Sequence, residues 1–204
     1  MNLSDDIKQF LPKYLSPESS QKLFAELEQF PGNINDSLYS YSLIEDQDVF
    51  QGDGIRNLPI VNLPVPGIKE GPVMVLSNTC DTSVENERTR IYKPRLIYCP
   101  IIKLSGYIEF LKTDQGLKEE QIATQIQAIK RQEISTFFFL PEGAGLPEDC
   151  LAMLDRANNC QFAHLKQVNI KEARLFSLSN FGFYLFIFKL SIHLTRIREA
   201  IDRK

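Results

Sequence analysis

The sequence has no tryptophan, no CxxC pair, no surplus of positive charge and no apolar run long enough to span a membrane. Each absence that bears on function narrows the possibilities. A net charge of −3 and a pI near 5.5 argue against a coat held to nucleic acid by unspecific phosphate contacts, which would be basic. They leave room for a local basic groove. The cysteines Cys80, Cys99, Cys150 and Cys160 lack the spacing of the common zinc sites. The acidic start Met1–Asp6 lacks the basic and apolar regions of an export signal. The expectation is therefore a cytoplasmic chain with reduced thiols, no metal and no cofactor. Phe181–Phe188 is the most apolar stretch, but Lys189, His193 and Arg196 break it well before the roughly 20 residues a membrane span needs. It reads as a buried helix, and no membrane partner is expected.

What is present suffices for one domain with a helical extension. The chain has 204 residues, a hydrophobic fraction of 43% and 14 phenylalanines, enough for a sizeable core. Residues 1–45 form the predicted extension. Ser4-Asp5-Asp6 leads an apolar stripe of Ile7, Phe10, Leu11 and Tyr14, and Ser16-Pro17-Glu18 leads another of Leu23, Phe24, Leu27 and Phe30. Residues 46–204 form the predicted barrel domain. Its expected strands are Ile60–Leu63, Pro72–Ser77, Leu96–Ile102, Ile134–Leu140, Leu151–Leu154, Phe162–Val168 and Leu175–Leu178, preceded by an alternating Tyr39, Tyr41 and Leu43. The unbroken apolar run of Pro72–Ser77 implies burial on both faces. A helical insertion spans 103–133, divided near Gly116, and Ser179 is placed to cap a C-terminal helix over 181–203. Helices and strands in separate blocks favour α+β with a small antiparallel barrel.

Gly52-Asp53-Gly54-Ile55, then Pro72-Val73-Met74-Val75-Leu76-Ser77-Asn78, then Tyr98-Cys99-Pro100-Ile101 follow a known order. They resemble the MazF/PemK family of small SH3-like barrels, in which a Gly-Asp pair opens the barrel and strands like PVLVLSN and VVCPIT follow. Phe138–Pro141 is similar to that family's VPL strand, and Leu154-Asp155-Arg156 falls where the family has an Asp-Gln strand. The resemblance covers roughly residues 50–200. It implies an SH3-like barrel, often dimeric, and metal-free cleavage of single-stranded RNA. Family catalysis uses an arginine before the PVLVLS strand and a threonine after CPI. Glu70-Gly71 and Ile102 stand at those places, and neither offers a guanidinium for phosphate charge or a hydroxyl donor.

Several other residues carry chemistry. Asn78, Cys80 and Asp81 emerge at the end of a core strand. Cys80 is a candidate nucleophile and Asp81 an acid, or else the segment turns the chain and Cys80 is a small buried hydrophobe. Cys80, Asp81, Cys99 and His164 could meet as metal ligands, although no spacing rule demands it. Arg88, Arg90, Lys93 and Arg95, interleaved with Tyr92 and Tyr98, have the composition of a single-stranded RNA groove. Asp155-Arg156 is either a phosphate contact or a surface pair. The leading expectation is a divergent barrel that lacks the family's catalytic pair. It would act as a binding or regulatory component in a bacterial toxin–antitoxin or phage-defence setting, with RNA, a protein partner or a second copy bound. An active ribonuclease or Cys80-dependent hydrolase is the alternative, and a structural interaction protein is the third class.

Overall fold

In the computed structural model, residues 15–65, 67–79 and 95–195 are described. The predicted helix over 4–14 and the tail 196–204 lie outside them. Among the described residues the fold is α+β, with six helices around a curled antiparallel half-barrel sheet.

The extension begins as its sequence directs. Helix α1, Pro17–Glu28, has proline in its first turn, and the Ser16 side chain accepts a hydrogen bond from the Ser19 amide at 3.1 Å. Leu23 is its buried residue. After the Pro31-Gly32-Asn33 turn comes the short α2, Ile34–Ser37, which leads into β1, Tyr39–Ser40. The predicted alternation through Tyr41 and Leu43 stops there. Tyr41 is 72% exposed in a bend: the chain leaves β8 after the Ser40–Ser177 pair although β8 itself runs on to Arg174.

Strands β2, Gly54–Ile60, β3, Lys69–Val75, and β4, Arg95–Lys103, form the centre of the sheet. The segment expected as a strand over Ile60–Leu63 instead ends β2 at Ile60, and residues beyond it form the exposed hairpin loop. Burial on both faces holds for the second half of β3, Val73–Val75, whereas Lys69–Pro72 is exposed or half-buried. Val73 and Val75 enter one core with Ile55, Leu58, Leu96 and Tyr98, whereas Met74 enters the other with Cys99, Phe138 and Phe176. Side chains alternate across a strand, so two cores can share one strand.

β4 is long enough to serve two partners. Arg95–Tyr98 pairs with β7, Asn158–Gln161, and Ile101–Lys103 pairs with β6, Cys150–Met153. β5, Phe137–Leu140, closes that end against β6. Between β4 and β5 lie α3, Leu104–Thr113, and α4, Glu119–Lys130, separated as expected around Gly116, whose φ is +62°.

Phe162–Val168, expected as a strand, is instead a 3₁₀ turn over Phe162–Gln167, which drops Leu165 into the second core. Its aromatic and aliphatic residues suit either form, and that burial decides for the turn. The short α5, Ile170–Ala173, then leads into β8, Arg174–Leu178, which pairs with both β1 and β2. Ser179 caps α6, Asn180–Thr195, accepting from the Gly182 amide at 3.0 Å.

The two ends of the sheet path approach each other across this curl. Tyr39 donates its hydroxyl to the Pro141 carbonyl at 2.7 Å, and the Gly145 amide donates to the Leu175 carbonyl at 2.8 Å. No described helix is long and apolar enough to cross a membrane.

Candidate functional site

The described site residues named from the sequence fall at different places. Asn78 is exposed just beyond β3, and Thr79 beside it accepts a hydrogen bond from the Gln51 amide at 3.1 Å. Arg95 begins β4 at the same end of the sheet and donates its Nε to the Asn159 carboxamide. Asn78 and Arg95 thus share one end of the β3–β4 pair. Asp155 and Arg156 are exposed on the β6–β7 turn, where β4 changes partner, and form no ion pair with each other. Cys80, Asp81, Arg88 and Arg90 lie outside the described residues, as does Lys93.

The described cysteines are poor nucleophiles. Cys99 is fully buried, and burial pushes its thiol up to about 12, with Asp155 adding to the rise. Burial also pushes the Cys150 thiol up to about 11, and its S–H donates to the Glu148 carbonyl at 3.3 Å. Cys160 is raised by burial as well. A thiol held protonated at neutral pH does not attack. Cys99 is sealed in the core, His164 is half-buried on the 3₁₀ turn, and no metal-holding cluster occurs among the described residues.

At the opposite end of the β3–β4 pair is a pocket of about 270 Å³ that residue spacing alone did not reveal. Pro72, Ile101, Ile102, Leu146 and Leu175 are among the residues of its apolar lining, with Cys150 beside them. Arg56, Asn57 and Lys103 supply its polar groups. Arg56 and Asn57 owe their position to a bulge. The β2–β3 register slips between Ile55 and Leu58, and Asn57 takes φ +57°, a conformation asparagine tolerates better than most residues. The slip leaves both side chains exposed while Ile55 and Leu58 on either side are buried. The signal in the sequence was a polar Arg-Asn pair interrupting an otherwise apolar strand.

Lys103 ends β4, where its Nζ meets the Glu148 carboxylate at 2.7 Å. The hydrogen bond between them raises the lysine and lowers the glutamate. Lys103 is therefore partly neutralised, whereas Arg56 has no ion pair among the described residues. The arrangement offers one uncommitted guanidinium at the mouth of an apolar pocket.

A second charged centre is sealed. The Arg174 Nε donates to the Asp53 carboxylate at 3.1 Å, and both side chains are almost wholly buried. Ser177 donates to the same carboxylate at 2.7 Å and the Phe50 amide at 3.0 Å. Burial pushes the Asp53 carboxyl up, and these donors pull it back. Every partner is internal, so this centre shapes the fold and cannot meet a ligand.

In comparisons with known proteins, no family model matches this chain, and no curated protein matches it.

Proposed function

We propose that the protein is a divergent MazF/PemK-like barrel that binds single-stranded RNA without cleaving it, as a binding or regulatory component of a bacterial toxin–antitoxin or phage-defence system. The order of elements supports the resemblance: Gly52-Asp53 precedes β2, and the PVMVLSN-like, YCPI and FFLP segments fall on or at the ends of β3, β4 and β5 before the C-terminal α6.

One observation carries the functional part. Ile102 stands where the family has its threonine, and Pro72 directly follows the position of its arginine. Both line the pocket that Arg56 and Lys103 border. The pocket thus offers the Arg56 guanidinium to a phosphate and an aliphatic wall against which a base can pack, but lacks the donor pair for phosphoryl chemistry.

Fluorescence anisotropy with a labelled single-stranded RNA tests the binding, and a denaturing gel of the same mixture tests cleavage. Binding that weakens with salt, weakens about tenfold or more in Arg56→Glu, and leaves the RNA intact is expected. Absence of binding by the parent protein would remove the reading. Fragments that vanish in the Arg56 variant would make the protein a nuclease instead.

A further inference from the structure

The loop joining β2 to β3 is the most apolar exposed feature among the described residues. Leu63 is 85% exposed, Ile68 72%, Val65 66% and Val61 37%. Isolated exposed aliphatics need no explanation, but four on one hairpin loop form a patch of the kind that marks an interaction site.

We propose that this loop is a membrane-surface anchor that inserts its apolar side chains into the interfacial layer of an anionic bilayer. Three features favour a lipid surface over a protein. The first is shape and size: the side chains stand on a hairpin loop rather than in a groove. Four side chains also fall well short of the roughly 800 Å² per partner that a stable protein interface covers. The second is the backbone. Pro64 carries no N–H, so the loop brings one donor fewer that would go unsatisfied away from water. The same lack makes it a poor template for strand addition by another chain.

The third feature is charge. Lys69 follows the loop immediately, and Arg56 lies further back on β2. Both are exposed, with no ion pair among the described residues; a shallowly inserted loop would bring Lys69 to lipid phosphates, with Arg56 adding positive field behind it. Along residues 54–75 Arg56 and Lys69 stand against a single acid, Glu70, so the hairpin carries a net positive charge although the chain as a whole does not. The mode is peripheral and compatible with the lack of a membrane-spanning helix among the described residues.

The test is flotation of the full chain with vesicles of phosphatidylcholine and phosphatidylglycerol at a ratio of about 3:1. The parent is expected to float with the vesicles. The double variant Leu63→Glu/Ile68→Glu is expected to lose about tenfold or more of that partition while keeping the parent's unfolding midpoint. Both residues are exposed and outside the pocket, so RNA affinity is a separate readout of the same variant. A parent that stays with the soluble fraction overturns the anchor, as does a double variant that floats as well as the parent. Light scattering after size exclusion gives the remaining outcome. A parent that dimerises through this loop, and a variant that is monomeric, would assign the patch to a second copy instead.

Discussion

Arg174 binds one carboxylate and a series of carbonyls at once. Besides Asp53, it donates to the carbonyls of Leu43 at 2.9 Å, Ile44 at 3.1 Å and Asp46 at 2.7 Å, and also to that of Asp48. A segment with no strand partner is thereby held against β8. Replacing Arg174 with Met leaves the Asp53 carboxylate buried and unpaired and those carbonyls without their donor. The expected loss is about 3–5 kcal/mol in urea unfolding, and a change below about 1 kcal/mol would show the pair to be dispensable. None of this was legible in the sequence, where Asp53 looks like a turn residue and Arg174 like any charge between apolar neighbours. Their partnership spans 121 positions, and no local pattern encodes it. Lys189 is a further buried charge among the described residues. It was recognisable as a break in an apolar run, but not as a residue 5% exposed that donates to the Gln132 carbonyl. Burial pulls its pKa from 10.5 to about 8, against the opposing pull of the Glu133 charge. The folded value lies below the unfolded one, so the penalty for charging Lys189 is complete below pH 8 and fades as pH rises toward 10.5. The parent should therefore gain stability relative to Lys189→Met across that window. Raised thiols and phenols such as Cys99 and Tyr39 act oppositely above pH 9 in both proteins, so the difference between the two is the quantity to follow. A flat difference would mean that Lys189 is well solvated.

Among the elements, β3 and β4 were the most legible because their apolar runs are set by burial on both sides, a constraint written locally. The 3₁₀ turn and the truncated β1 were not, since their form depends on which neighbours are available. The candidate site divides the same way. Asn78 and Arg95 were named from strand ends and charge and lie at the far end of β3–β4, whereas the pocket depends on the β2 bulge, which the sequence marks only by the polar Arg56-Asn57 pair inside an apolar strand. That bulge makes a prediction of its own. Asn57 adopts φ +57°, which costs little for asparagine or glycine and much more for a β-branched residue. Asn57→Gly should leave the unfolding free energy within about 0.5 kcal/mol of the parent, and Asn57→Val should lower it by about 1–3 kcal/mol. Because Arg56 is aimed by the bulge, the valine variant should also weaken RNA binding at temperatures where it remains folded. Equal stability of both variants would show that the register slip relaxes freely.

At the scale of the whole molecule, the pocket exists because the sheet curls until one end of its path meets the other. Gly145, in the β5–β6 loop, is the point of contact: its amide reaches the Leu175 carbonyl, and a β-carbon there would lie 2.5 Å from that oxygen. Backbone on the β8 side cannot yield as a flexible side chain would. Gly145 also lines the pocket with Leu146 and Pro147, so the seam and the candidate site share one support. Gly145→Ala should therefore have two linked effects. Stability should fall by about 1–3 kcal/mol as the loop is pushed off β8, the usual cost of overpacking a tight contact. The pocket wall formed by Leu146 and Pro147 should move away from Ile102, and RNA affinity should fall although no cation has been changed. Urea unfolding and RNA anisotropy on the same variant separate the two. A loss of stability with unchanged affinity would mean that the pocket wall is not the binding surface, and would shift attention to the Asn78–Arg95 end of the strands. A loss of affinity tracking the displaced loop would tie ligand binding to closure of the sheet.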